Sequence, residues 1–242
     1  MTISVALSGA TGRMGGLIQQ IIDETEGLRL HALLDSKSPA TAMDGADVLI
    51  DVTRIEVSEQ LVGHAITNGI NVVVGTSGWN ADRLEQLADR IPAERGVIVV
   101  PNFSIGSVLS TNLATIAGRF YDSIEILEAH HAGKIDSPSG TAVRTAERIA
   151  AAREDALEAP FGEQRARGEV VAGIPVHSLR LRGVVADQQV IFGGVGETLT
   201  IRHETLSSDA YAQGIRLALE AAPELRGLTV GLDALLGIGA AA

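Results

Sequence analysis

The chain has 242 residues, a mass of 25.2 kDa and no cysteine. That is enough for two modest domains with real cores, and it excludes a disulfide framework, a thiolate nucleophile and a Cys-ligated metal. A hydrophobic fraction of 45% with 27 glycines excludes disorder as the main theme, and a formal net charge of -11 without any basic run argues against a nucleic-acid partner.

The opening segment MTISVALSGATG has no basic leader, and its apolar stretch is too short for a signal h-region or a span. A cytoplasmic protein with no membrane partner is expected. From Ile3 to about Ser104, the runs ISVAL, LRLHALL, DVLIDV, INVVVG and GVIVVP alternate with helical stretches, the pattern of βαβ units and a parallel sheet. Leu17, Ile18, Ile21 and Ile22 form one apolar helix stripe, and Gly27 and Gly69 are placed to stop helices. The expected class is α/β, a Rossmann-like doubly wound parallel sheet.

Beyond Ser104 the pattern changes. A helix is expected near Val108–Tyr121, a strand over Ile124–His130 and a helix from about Ser139 to Arg153, followed by strands over Val176–Arg182, Val185–Phe192 and Thr198–His203. Consecutive strands beside clustered helices predict a second α+β domain with an open mixed sheet. The charged, Gly/Pro-punctuated stretch EDALEAPFGEQRARGEVVAG is expected to be a mobile surface loop without chemistry. A last helix, about Asp209–Ala221, and GLTVGLDALLGI are expected to pack back on the first domain. The expected domains are residues 1–103 with 207–242, binding a dinucleotide, and residues 104–206.

Two constellations carry the chemistry. GATGRMG places glycines at 9, 12 and 15, where the first strand meets the first helix. Gly9 permits the tight turn, Gly12 lets the backbone approach a pyrophosphate, and Gly15 allows close helix–strand packing. Asp35 ends the second strand, where a carboxylate meets the adenosine ribose, and Lys37, two residues on, reads either as a 2′-phosphate contact or as a solvated loop lysine. GTSG at 75–78 and PNFS at 101–104 end the fourth and fifth strands, where open α/β sheets place ligands.

The second constellation is EAHHAGKIDSPSGTA, residues 128–142. Lys37 and Lys134 are the chain's two lysines among 19 basic residues, and an ammonium can give up a proton where a guanidinium cannot. Strand periodicity carried to residue 134 puts His130 and Lys134 on one side and His131 on the other, which leaves no easy two-histidine metal site. Ser139 is expected to cap a helix whose N–H groups near Gly140 and Thr141 then form an anion site. Such a cluster suits a carboxylated substrate that needs a proton. His177, His203, Arg180 and Arg182 read as sheet-surface residues, and Glu128, Asp136 and Glu197 lack the spacing of a two-carboxylate hydrolase.

Together GATGRMG, GTSGW, PNFSIG and above all EAHHAGKIDSPSGTA resemble the 4-hydroxy-tetrahydrodipicolinate reductase family, also called dihydrodipicolinate reductase, over essentially the whole chain. The compact length and the ending GLTVGLDALL are similar to its actinobacterial branch. The resemblance implies reduction of a cyclic imine dicarboxylate by NADH or NADPH in the diaminopimelate route to lysine, and a homotetramer built through the second domain's sheets. It implies that His130 is the acid/base histidine, Lys134 the proton donor and His131 a substrate contact. Ser139, Gly140 and Thr141 would hold a carboxylate. Gly9, Ala10, Thr11, Gly12, Arg13 and Met14 would cradle the pyrophosphate and Asp35 the ribose, with Gly75, Thr76, Ser77, Pro101, Asn102 and Phe103 on the nicotinamide side. No metal is implied. DVTRIEV stands where DFTHP is commoner and Ser208 where an arginine is frequent, so the loop after Thr53 and one cofactor contact are expected to differ. The competing expectations are a non-catalytic NADP(H)-sensing module, which has no use for Lys134, and another small amino-acid-type dehydrogenase, which has no need of the full HHxxKxDxPSGTA string.

Overall fold

A computed structural model describes residues 2–238. Strands β1 (Ile3–Ser8), β2 (Leu28–Leu34), β3 (Val48–Asp51), β4 (Asn71–Val74) and β5 (Gly96–Val99) alternate with helices α1 (Arg13–Glu24), α2 (Ile55–Thr67) and α3 (Ala81–Ala88). There follow α4 (Ile105–Ala117), β6 (Ser123–His131), α5 (Gly140–Ala151), β7 (Glu169–Val171), β8 (Ile174–Leu181), β9 (Ala186–Gly194), β10 (Glu197–Thr205), α6 (Ala212–Ala221) and β11 (Gly227–Val230).

The chain divides into two compact units, one from the described parts of Met1–Ile105 and Tyr211–Ala242, the other Gly106–Ala210. The first holds a six-stranded parallel sheet in the order β11-β5-β4-β3-β1-β2. Its central strands β3, β4 and β5 are buried along their length, which is why their sequences are continuous apolar runs and not alternating ones. On α1, Ile18, Ile21 and Ile22 are buried while Leu17 is only half-buried; each fully buried Ile contributes about 1.5–3 kcal/mol of transfer free energy. The tail returns to this unit: β11 pairs with β5, and α6 lies so close to the segment after β5 that a Cβ on Gly214 would stand 2.0 Å from the Phe103 carbonyl oxygen.

In the second unit the sheet order is β10-β9-β6-β8-β7, with β6 and β8 parallel and the other pairs antiparallel. Ile124 and Ile126 of β6, Val176 of β8 and Val190 and Phe192 of β9 pack with Ala142, Ala146 and Ile149 of α5 and Ala114 of α4. Two expectations are corrected. The stretch 154–173 is not a bare loop, because Glu169–Val171 pairs with β8 as an edge strand and Arg167 makes an ion pair with Glu125. The helix leading into this unit runs over Ile105–Ala117, starting and ending earlier than the expected Val108–Tyr121, and its polar positions Ser107, Ser110 and Thr111 are buried, so its start carries no apolar signal. Among the described residues, no helix is long and apolar enough to cross a membrane.

Candidate active site

The β1–α1 turn is built by two glycines. Gly9 has φ +83, and a Cβ on it would lie 2.5 Å from the Val52 carbonyl oxygen; a Cβ on Gly15 would lie 2.3 Å from the Gly9 carbonyl oxygen. Gly12 donates to the Gly9 carbonyl at 3.0 Å and stands at the N-cap of α1, which has no side-chain cap and no acidic residue in its first turn. The first intrahelical bond runs from Gly16 to Gly12, so the N–H groups of Arg13, Met14 and Gly15 have no intrahelical partner. With Thr11, Gly12 and Arg13 exposed, this helix terminus fits a phosphate group. Gly9 and Ala10 differ in use: both donate to the Leu34 carbonyl and fix the turn to β2.

Asp35 is the first residue after β2. Its Oδ1 accepts from the Lys37 N–H at 2.8 Å and from the Ser38 N–H and hydroxyl at 3.0 and 2.9 Å, and these bonds hold the carboxyl below its usual range. One oxygen thus makes the turn. Lys37 is exposed.

At the ends of β1, β3 and β4, the fully buried Asp51 ties three hydroxyls together: Ser8 and Thr53 donate to Oδ1 at 2.6 and 2.7 Å, and Thr76 to Oδ2 at 2.6 Å. The Thr53 N–H donates in turn to the Thr76 hydroxyl at 2.8 Å. This knot shapes the loop after Thr53 and borders a cavity of about 430 Å³ lined by Met14, Thr53, Arg54, Gly75, Thr76 and Ser77. Phe103 is buried against Gly75, whereas Pro101 is exposed and Asn102 accepts the Ser104 N–H at 2.9 Å. Ser208 lies in an exposed 3-10 turn, Ser208–Tyr211.

The second unit gathers the other predicted group. β6 ends at His131, and Lys134 sits in the turn beyond it, its N–H donating to the His131 carbonyl at 3.0 Å; the strand periodicity therefore does not reach residue 134. His130 is half-buried and His131 exposed, as alternation along β6 requires. Lys134 Nζ pairs with Asp136 Oδ2 at 2.8 Å. Ser139 caps α5, its hydroxyl accepting the Ala142 N–H at 3.3 Å, which leaves the Gly140 and Thr141 N–H groups without an intrahelical partner.

Two residues that the sequence pattern did not single out hold this group together. Glu128 is completely buried, and its Oε2 lies 2.6 Å from His130 Nδ1 and 2.9 Å from Arg180 Nη1. Its Oε1 accepts from Arg180 Nη2 at 3.0 Å and from the Ser139 N–H at 3.2 Å. Arg180 also donates to the Asp136 carbonyl, so β8, β6 and the Lys134 turn are joined through one guanidinium. Burial alone would push the Glu128 carboxyl up, but hydrogen bonds from Arg180, Ser178 and His130 overcome it and hold it below the usual range. Burial pushes the His130 imidazole down; Glu128 opposes this, and the Lys134 and Arg180 charges add to it.

The family comparisons break the chain at the same first boundary, near residue 105, but keep most of the returning tail with the C-terminal part. The model for the N-terminus of dihydrodipicolinate reductase matches residues 3–103, and that for its C-terminus matches residues 106–236. This chain belongs to the dihydrodipicolinate reductase family. A 4-hydroxy-tetrahydrodipicolinate reductase of Clavibacter sepedonicus is 56% identical over 98% of this chain and 87% of its own, and one of Cutibacterium acnes is 44% identical over 98% and 99%. The solved structure of a dipicolinate-bound dihydrodipicolinate reductase from Paenisporosarcina sp. TG-14 superposes with a TM-score of 0.83 at 32% identity, covering 97% of this chain and 99% of that one. Dihydrodipicolinate reductases are oxidoreductases whose N-terminal domain is a Rossmann-type binder of NADH or NADPH, and residues 3–103, with β1 to β5 of the six-stranded sheet, are that domain here.

Proposed function

We propose that the chain reduces 4-hydroxy-tetrahydrodipicolinate to tetrahydrodipicolinate with NADH or NADPH, in the diaminopimelate route to lysine, using His130 and Lys134. Family membership supports the reaction, and the linked His130–Glu128–Arg180–Asp136–Lys134 array is the observation that carries the assignment of residues. The α1 terminus and turn, Gly9 to Met14, hold the pyrophosphate, Asp35 the ribose, and Gly75 to Ser77 with Pro101 to Phe103 the nicotinamide side. When bound, the dinucleotide would supply the hydride, which the ring carbon takes once the 4-hydroxyl has left as water.

Protonation of the neighbouring, carbanion-like position falls to the chain itself. Lys134 carries a transferable proton on a compact ammonium, and Asp136 beside it holds that ammonium in place. His130, pushed toward its neutral form by burial, relays or accepts a proton, and His131 reaches substrate from the exposed end of β6. Ser139 and the uncapped N–H groups of Gly140 and Thr141 receive a substrate carboxylate. The dipicolinate bound to the Paenisporosarcina relative is a dicarboxylate, which agrees with this assignment.

A homotetramer through the second unit's sheet is part of the proposal. The face of that sheet away from α5 carries exposed Leu179, Leu181 and Ile191, apolar residues that a partner sheet would cover. We place the enzyme in the cytoplasm, with its biosynthetic substrate. The deciding experiment follows NADH and NADPH oxidation in parallel, with the product of the preceding synthase generated in situ. Turnover that vanishes in Lys134→Ala upholds the assignment. Binding of both cofactors without consumption of either overturns it in favour of a sensing module.

A further inference from the structure

From the bonds converging on one carboxylate, we propose that Glu128 is a positioning residue of the reductase site, fixing His130 as its Nδ1–H tautomer while Arg180 locks the Lys134 turn to the same carboxylate. The inference rests on the assignment of His130 as an acid/base group.

An ionised carboxylate only accepts hydrogen bonds, so the 2.6 Å contact with Glu128 requires the proton on His130 Nδ1. The neutral ring then presents an unprotonated Nε2, the end without a protein partner among the described residues. Arg180 keeps the carboxylate ionised through a two-pronged contact and cannot itself lose its proton. Both carboxylate oxygens are needed. Oε2 takes His130 and Arg180, and Oε1 takes Arg180 and the Ser139 N–H at the mouth of α5. The Arg180 bond to the Asp136 carbonyl extends the hold to the turn that carries Lys134. A carboxylate placed only for stability would need none of these partners to be a titratable ring.

Glu128→Gln makes the consequence measurable. Its amide nitrogen must replace one oxygen and so face two donors. At the Oε1 position both, Arg180 and a backbone N–H, are obligate donors. At the Oε2 position one is His130, which can answer by moving its proton to Nε2. The expected result in the 15N-histidine-labelled full chain, with His130→Asn for assignment, is an Nδ1–H ring in the wild type and an Nε2–H ring in Glu128→Gln. Turnover should fall roughly 10²-fold with the cofactor KM unchanged, and Glu128→Asp should keep the wild-type tautomer and recover most of kcat. A wild-type ring protonated at Nε2 overturns the positioning role, whether or not the variants fold. An unchanged tautomer with kcat within about two-fold in Glu128→Gln overturns it as well. Full turnover in His130→Asn would instead sink the acid/base assignment, an outcome the tautomer measurement in the wild type does not share.

Discussion

Gly75 and Phe103 lie against each other across the ends of β4 and β5: a Cβ on Gly75 would stand 2.6 Å from the edge of the Phe103 ring. Phe103 is buried, and its carbonyl oxygen in turn meets Gly214 of α6, so the ring has little room to retreat. Gly75→Ala is expected to cost about 1–3 kcal/mol as an overpacking substitution. Because Gly75 also lines the cavity beside Thr76 and Ser77, the cofactor KM should rise more than kcat falls. Thermal unfolding combined with NADPH titration checks both. A variant with wild-type cofactor affinity would remove this loop from the nicotinamide side.

Asp51 offers a separate test of the same region. Its carboxylate accepts only neutral hydroxyls, from Ser8, Thr53 and Thr76, and no cation shares the site among the bonds formed. Asp51→Asn exchanges one acceptor oxygen for a donor group. The hydroxyls can rotate to accommodate it, so we expect a modest loss of stability, about 1–3 kcal/mol, set by whichever bond is lost. Cofactor affinity should fall with it, since Thr53 and Thr76 shape the cavity. Calorimetric titration with NADH would read this, and an unchanged affinity would mean that the knot serves folding alone.

For Lys134, removal of the ammonium in Lys134→Ala should lower turnover by roughly 10²–10⁴-fold, the range expected for losing a positioned proton donor, with cofactor binding nearly intact. Asp136→Asn tests the holding partner and should have a smaller effect, since the pair is partly exposed and screened. Parallel steady-state assays and cofactor titrations separate the two. Equal losses in both variants would argue that the pair acts as one unit.

Much of the fold was legible because it rests on periodicities. The buried runs of β3, β4 and β5, the Ile18–Ile21–Ile22 stripe and the Ser139 cap are all local signals. β7 was not legible because a three-residue edge strand in a charged segment has no period to read, and its partner β8 is what defines it. Glu128 and Arg180 were hidden for a related reason. They are 52 residues apart and on different strands, and each alone looks like an ordinary sheet residue. Their register neighbours, Glu128 with Ser178 and His130 with Arg180, bring them together only once β6 and β8 pair in parallel. Glu128 sits at the same alternation as Ile124 and Ile126, on the face turned to the helices, and a charged residue in phase with core positions was the available clue.

The same buried groups set how the fold responds to acid. Burial lowers the pKa of His130 and of His203 from 6.5, so the unfolded chain takes up these protons at a higher pH than the folded one. Stability should therefore begin to fall as the pH drops below about 6.5 and continue to fall toward the depressed folded values. The carboxylates act later and in the same direction. Glu125 and Glu128 are held below 4.5 by their hydrogen-bonded partners, despite a burial penalty, so their contribution is complete above 4.5 and is lost as the pH falls through the folded values. The expected Tm profile declines in two stages, the first starting near 6.5 and the second below 4.5. Replacing His130 and His203 by Asn should flatten the first stage and leave the second in place. A Tm that rises on acidification from pH 7 to 5.5 would show that charging the two imidazoles stabilises the fold, contrary to the partial burial that disfavours their charged form.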